Sequence, residues 1–303
     1  METQGRIVFR SLLFPTDFSP FNERLARCLP NFKALGVEEI LLVNVVEVGP
    51  QIGFASDTFE NVLAWKDDAE PRLKALQRDL EGSGFKARWR LEFGKPAPAI
   101  VELAEAEGVS LIAMGTHGHG FLKGIMLGSV THDVVRYAKV PVFVLKVEAV
   151  QGLGTTDCEF VCQHIFRRVL LPTDFSPLAH EAERLVIAMR STGLSDVVLL
   201  HVRDDSHTDG RASDEQAEER LTRIQEEFEF FGIKITVIVC FGNPAKKIEE
   251  IADEQDVSLI VIGAHSRSAV ADVLLGSVSD HVVCRHVRPV LVVRSNNSQR
   301  SVM

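Results

Sequence analysis

Apolar positions along the chain fall into two alternating kinds of stretch. Short runs rich in β-branched and aliphatic residues lie at 11–14, 40–46, 86–93, 111–114 and 142–147, the composition and length of β-strands. Three of them are nearly continuous in apolar residues, as parallel strands buried on both faces require. Between them, 20–34, 57–81, 96–107 and 129–138 carry apolar residues three or four apart, as in Ile100, Leu103 and Ala104, which predicts helices with one buried stripe. Pro96 suits a first helical turn, where its missing N–H leaves nothing unpaired. Strand–helix–strand alternation predicts right-handed crossovers and a parallel sheet covered on both faces.

The same order then repeats. RSLLFPTDFSP at 10–20 matches RRVLLPTDFSP at 167–177, an offset of 157. FGKPAPAIVELAEAEGVSLIAMGTHG at 93–118 matches FGNPAKKIEEIADEQDVSLIVIGAHS at 241–266, an offset of 148 that also carries LGSVTHDVV onto LGSVSDHVV. The second copy has therefore lost nine residues between Val45 and Phe93. Its strands are expected at 169–171, 197–202, 234–241, 259–262 and 289–293. The fold class is thus α/β: two tandem doubly wound domains, each a five-stranded parallel sheet with helices on both faces. The expected limits are 1–148 for the first domain, 149–164 for a glycine- and threonine-bearing linker, and 165–303 for the second.

Composition narrows the functions. The chain of 303 residues carries a formal charge of −9, the wrong sign for a protein that neutralises nucleic-acid phosphates or lies on an anionic membrane. At 46% hydrophobic and 25% charged it has the balance of a folded soluble protein. It shows no apolar run of about 20 residues and no secretory layout at its start. Five cysteines in a chain this long argue against a disulfide scaffold and for a reducing cytoplasm.

In a doubly wound sheet, ligands sit beyond the carboxyl ends of the strands where the strand order reverses. After the fourth strand comes Gly115-Thr116-His117-Gly118-His119-Gly120, then Gly128-Ser129-Val130 opening a helix. Glycines let backbone amides converge on an anion, and a helix start adds unpaired N–H groups and the positive end of its dipole. The plainer reading is a surface turn. No Gly-Lys-Ser/Thr follows, so this is not a Walker loop, and a dinucleotide fingerprint would follow the first strand instead. After the first strand, Pro15-Thr16-Asp17 places a carboxylate where ribose hydroxyls could reach it; the plainer role of Asp17 and Ser19 is capping the next helix. Val45 could offer backbone groups to an adenine edge, with Val45 and Met114 as apolar walls.

Gly115, two residues, Gly118, nine residues, Gly128-Ser129, together with PTDFS and the closing PVFVLK, resembles the nucleotide motif of the universal stress protein family, UspA type, in tandem two-domain form. The resemblance covers both repeats. It implies an ATP-binding domain used in stress responses, often dimeric. Pro15, Thr16 and Asp17 would hold the nucleoside side, Val45 the adenine, and Met114, Gly115, Thr116, His117 and Gly118 the ribose and α-phosphate. His119 and Gly120 continue that loop, and Gly128, Ser129 and Val130 take the outer phosphates. Asn44, where many relatives have His, is discounted as facing away from the adenine. Asp174, Val202, Gly263, His265, Arg267, Gly276, Ser277 and Val278 make a weaker second site, because Ser266 replaces the middle glycine and Asp272 brings a negative charge. The final strands of the two repeats are expected to pair as an internal pseudo-dimer.

No nucleophile–base pair stands out, so no catalytic residue is assigned. The expected function is an ATP-binding regulatory switch, with Mg²⁺ accompanying the nucleotide and ADP or AMP as other occupants. Alternatives are a nucleotide-independent chaperone-like or scaffolding module, and a slow ATPase. No metal site is expected: Cys158, Cys162 and His164 in the linker lack the spacing of a closed zinc site. The acidic run at 214–229 reads as the solvated face of a helix whose buried stripe is Leu221, Ile224 and Phe228.

Overall fold

The structure, a computed structural model, describes residues 9–47, 57–116, 127–146, 164–203, 214–264 and 275–294, with the backbone alone at 57–63 and 214. The first half runs β1 (Ser11–Pro15), α1 (Pro20–Ala26), a 3-10 turn (Leu29–Leu35), β2 (Glu39–Val46), α2 (Asp57–Gly82), β3 (Lys86–Phe93), α3 (Pro96–Ala106), β4 (Leu111–Gly115), α4 (Ser129–Tyr137) and β5 (Val142–Leu145). The second half repeats it as β6 (Arg168–Pro172), α5 (Pro177–Ala188), a 3-10 turn (Met189–Thr192), β7 (Asp196–Arg203), α6 (Asp214–Phe230), β8 (Lys234–Phe241), α7 (Pro244–Glu254), β9 (Leu259–Gly263), α8 (Ser277–Arg285) and β10 (Val290–Val293).

The predicted elements are present, with one break. The helix expected over 20–34 stops at Ala26 and resumes as a 3-10 turn, because Pro30 has no N–H to continue the ladder and its ring crowds the preceding turn. The second repeat has no proline there, and α5 runs through twelve residues. The stripe of α6 is buried as expected: Phe228 is fully covered and Leu221 and Ile224 nearly so.

The ten strands among the described residues form one sheet in the order β3-β2-β1-β4-β5-β10-β9-β6-β7-β8. Neighbours within each half are parallel, whereas β5 and β10 run antiparallel, with Phe143 opposite Leu291. The central strands β4, β5, β9 and β10 are buried throughout. The outermost strands β3 and β8 alternate exposed and half-buried residues, as edges with one covered face should.

One core lies on each side of the sheet, and each contains residues of both halves. On one side Phe32, Phe143 and Phe166 meet edge to face, with centroids 5.1–6.2 Å apart, so the aromatic packing crosses the junction. Two buried cations also bridge it. Lys146, just past β5, donates to the Val283 carbonyl in the last turn of α8. Arg294, just past β10, donates to the Val135 carbonyl and, at 2.8 Å, to that of Arg136 in the last turn of α4. Each cation thus satisfies orphan carbonyls at the negative end of the opposite half's helix. Burial lowers the Arg294 pKa to about 10, which leaves the guanidinium charged at neutral pH.

Among the described cysteines, Cys240 and Cys284 are free thiols and the buried Cys28 is disulfide-bonded. A cytoplasmic address therefore does not follow from cysteine usage. No helix among the described residues is long and apolar enough to cross a membrane.

Arg294→Met keeps the apolar stem and removes the donors. It should cost about 1–3 kcal/mol for each orphaned carbonyl, read as a lower urea midpoint. An unchanged midpoint would show that the carbonyls find water instead.

Candidate functional site

The strand order reverses between β1 and β4, so the crevice at their carboxyl ends is the site the topology prepares. β1 leads into a tight turn. The Thr16 amide donates to the Val43 carbonyl at 2.8 Å. The Phe18 amide donates to Thr16 Oγ1 at 3.1 Å, and the Ser19 amide to Asp17 Oδ1 at 3.0 Å. Asn22 Nδ2 reaches the same Asp17 oxygen at 2.9 Å, while Ser19 Oγ caps α1 by accepting from the Asn22 amide at 3.3 Å. Ser19 thus performs the capping role weighed for it, while Asp17 holds the cap residue's own amide and the Asn22 side chain.

The turn is strained. Phe18 has φ of 59°, and its counterpart Phe175 has the same value. A bulky side chain in the left-handed region costs about 1–2 kcal/mol, so something must hold it there. In the first repeat two neighbours do. Asn44 on β2 donates to the Thr16 carbonyl at 2.8 Å. Arg72 on α2 donates to the Phe18 carbonyl at 3.0 Å and stacks 4.4 Å over the Phe18 ring. In the second repeat His201 takes the place of Asn44. Its Nδ1 lies 2.9 Å from the Thr173 carbonyl, which only accepts, so Nδ1 carries the proton. The His201 ring also packs 4.6 Å from Phe175, and Arg220 lies 5.4 Å over that ring. Asn44, discounted from the sequence, is therefore a support of the crevice floor.

At the end of β4, Gly115 is required by space. A Cβ there would fall 2.3 Å from the Phe21 ring, so glycine lets α1 press against the strand. Gly263 meets the Leu178 backbone in the same way. Among the described residues neither glycine has a positive φ, so conformational freedom is not their role. The Thr116 amide donates to the Leu145 carbonyl, and its own carbonyl accepts from the Gly128 amide at 2.6 Å. Thr131 Oγ1 donates to the Gly115 carbonyl at 2.7 Å. The loop between Thr116 and Gly128 thus leaves and returns at one point. Ala264, Gly276, Ser279 and Gly263 reproduce these bonds in the second repeat.

The tie commits the Gly128 amide, so among the described residues the amides of Ser129, Val130 and Thr131 are left as the donors at the start of α4. Gly128 is the cap residue and supplies no side-chain bond, whereas α1 and α5 are capped by Ser19 and Ser176. On this side of the sheet Met114 belongs to the core, and Val45, Leu127 and Val130 are half-buried against that core; Ile262 with Val202, Leu275 and Val278 take the same places in the second repeat. Pro15, Thr16, Asp17, Val45, Met114, Gly115, Thr116, Gly128, Ser129 and Val130 all belong to elements or turns at this edge of the sheet. His117, Gly118, His119 and Gly120, and His265 and Arg267 with Ser266 and Asp272, lie outside the described residues.

A second difference between the halves escaped the sequence. Glu183 on α5 is buried beneath the β6 turn, where Ala26 stands in the first repeat. It accepts from Thr173 Oγ1 at 3.1 Å and lies 3.0 Å from His180 Nδ1. Burial raises its pKa, partly offset by those two contacts.

Together, a tandem pair of doubly wound α/β domains with an uncapped helix start at each switch point defines a class. The family model of the universal stress protein family matches residues 9–146 and again 165–294, and the chain belongs to that family. It is 35% identical to universal stress protein MJ0577 of Methanocaldococcus jannaschii over 156 residues, which is 46% of this chain and 96% of that one. It is 27% identical to universal stress protein Mb2028c of Mycobacterium bovis over 249 residues, 77% of this chain and 79% of the relative. Among solved structures, a universal stress protein from Archaeoglobus fulgidus superposes with a TM-score of 0.73 at 29% identity, covering 94% of this chain and 98% of that one.

Glu183 generates a pH prediction. Its folded pKa lies above its unfolded one, so stability is greatest below the unfolded pKa and falls as pH rises through the folded pKa. Glu183→Gln keeps an acceptor for Thr173 and removes that loss. The variant's stability relative to the parent should therefore rise between pH 4 and pH 7 in chemical denaturation; a pH-independent difference would contradict it.

Proposed function

We propose that this protein is a regulatory adenine-nucleotide-binding protein of the stress response, with ATP held mainly in the first repeat. The observation that carries this reading is the uncapped start of α4, tied by Gly128 to Thr116 at the carboxyl end of β4, next to β1 where the strand order reverses. The residues suit the ligand. The amides of Ser129 and Val130 and the helix dipole favour phosphate oxygens. The apolar side chains of Val45, Met114, Leu127 and Val130 suit an adenine face. The pinned turn sets the Asp17 carboxylate at the crevice floor, where ribose hydroxyls donate to it. His117, Gly118, His119 and Gly120 complete the phosphate loop, and Mg²⁺ accompanies the triphosphate. The working limits of the binding repeat are 1–148, followed by a linker to 164 and the second repeat to 303.

In this reading nucleotide orders the loop between its two tied feet and changes the surface shown to partners, without turnover as its purpose. The second repeat keeps the feet and the apolar positions, so its weaker binding rests on Ser266 and Asp272 in the loop and on Asp174, Val202, Gly263, His265, Arg267, Gly276, Ser277 and Val278 as its remaining contacts. ADP or AMP would occupy the same nucleoside contacts with fewer phosphate bonds.

A thermal-shift titration tests this. ATP at about 100 times Kd stabilises the bound state by about 2.7 kcal/mol, a rise of roughly 5–10 °C for domains of this size. Ser129 is exposed, so Ser129→Asp leaves packing intact, complements the helix dipole and repels phosphate. It should keep the ligand-free Tm and abolish most of the shift, while Ser277→Asp should leave the shift in place. No shift in the parent protein would favour a nucleotide-independent interaction module. Loss of the shift with Ser277→Asp alone would reverse the asymmetry.

A further inference from the structure

We propose that the junction between the two repeats holds one divalent metal ion of the zinc class, ligated by His132 Nε2, an Asp280 carboxylate oxygen and Cys284 Sγ. The ligand set comes from both halves: His132 lies on α4, and Asp280 and Cys284 lie on α8. Asp280 and Cys284 are one turn apart, which puts them on the same face of α8. One ligand atom from each of the three residues lies within 4.8 Å of the others, and His132 Nε2 is 2.8 Å from Asp280 Oδ1. Metal–ligand bonds of about 2.0–2.3 Å in a tetrahedral site separate ligands by roughly 3.3–3.7 Å, so the present spacings bracket the requirement. Small side-chain rotations close it. Those rotations are open, because the His132 and Asp280 side chains are 32% and 43% exposed, which also gives the ion a way in.

Two further features bear on the metal and the count. Imidazole, thiolate and carboxylate together suit zinc and neighbouring transition metals, whereas Mg²⁺ and Ca²⁺ prefer all-oxygen sites. The pseudo-symmetry gives a single site. At the repeat offset of 148, His132 and Asp280 are each other's counterparts, and the counterpart of Cys284 is Arg136, which cannot ligate. Binding releases the Cys284 thiol proton to solvent; three protein ligands leave a fourth position for water. The consequence is a cross-link between α4 and α8, next to the carbonyls that Lys146 and Arg294 already bridge. Nothing in this proposal depends on nucleotide binding.

The test uses the untagged full chain, stripped with chelator and titrated with Co²⁺. One equivalent should give the near-ultraviolet thiolate-to-cobalt charge-transfer band and the visible bands of tetrahedral Co²⁺, both removed by stoichiometric Zn²⁺. Cys284→Ser should lose the charge-transfer band, and His132→Asn should weaken Co²⁺ binding at least tenfold. Zn²⁺ should also slow alkylation of Cys284, located by peptide mapping, at least tenfold in the parent and not in His132→Asn. Circular dichroism of both variants checks that they fold. A charge-transfer band that survives Cys284→Ser, alkylation of Cys284 unaffected by Zn²⁺, or no band at one equivalent would each overturn the proposal and leave His132–Asp280 as a hydrogen-bonded pair only.

Discussion

The antiparallel pairing of β5 with β10 is the contact on which the molecule rests. Each half alone would end its sheet in an apolar strand with an unpaired row of amides and carbonyls, an invitation to aggregation. Joining the two strands abolishes both edges at once and makes each core continuous across the seam. The seam then gathers polar groups that a single half could not satisfy. Lys146 and Arg294 are buried cations, expensive to desolvate, and each is matched to the carbonyl end of a helix in the other repeat. The exchange is reciprocal: each half supplies helix-end carbonyls to the other half's cation.

The same seam fixes the candidate site. β5 receives the Thr116 amide, and β10 receives that of Ala264, so the two loop feet hang from the paired strands. α4 and α8 start at those feet and end at the cation clasps. A change at the mouth of the crevice therefore has a short mechanical route to the junction, along one nine-residue helix. This route is a physical connection, a precondition for coupling between nucleotide and inter-repeat contacts.

The crevice floor shows how one scaffold is held with two chemistries. Both repeats strain a phenylalanine into the left-handed region, and both hold the turn with a donor from the second strand and an arginine over the ring. Asn44 and His201 do the same geometric work from different functional groups. Below the turn, Ala26 and Glu183 diverge, so the second repeat carries a buried acid where the first carries a methyl group. Divergence after duplication has thus touched the supports of the crevice as well as its loop.

Hydrophobic period and repeat spacing determined the elements, their order and the tandem α/β class, because burial on a parallel sheet writes itself into consecutive residues, while the family was legible only in the resemblance of Gly115, Gly118, Gly128-Ser129 and PTDFS to a known motif. They located the carboxyl-edge turns at Asp17 and Gly128 for the same reason: those turns follow strands in the chain. The roles of particular residues were decided by neighbours distant in sequence. Gly115 is fixed by the Phe21 ring, Asn44 by a carbonyl on the next strand, Cys28 by a disulfide, and Lys146 and Arg294 by helix ends in the opposite repeat. The cluster of His132, Asp280 and Cys284 belongs to the same group, since only folding brings residues 148 positions apart within bonding reach. Local pattern encodes what is buried; which polar group meets which is set by packing, and no window of sequence contains both partners.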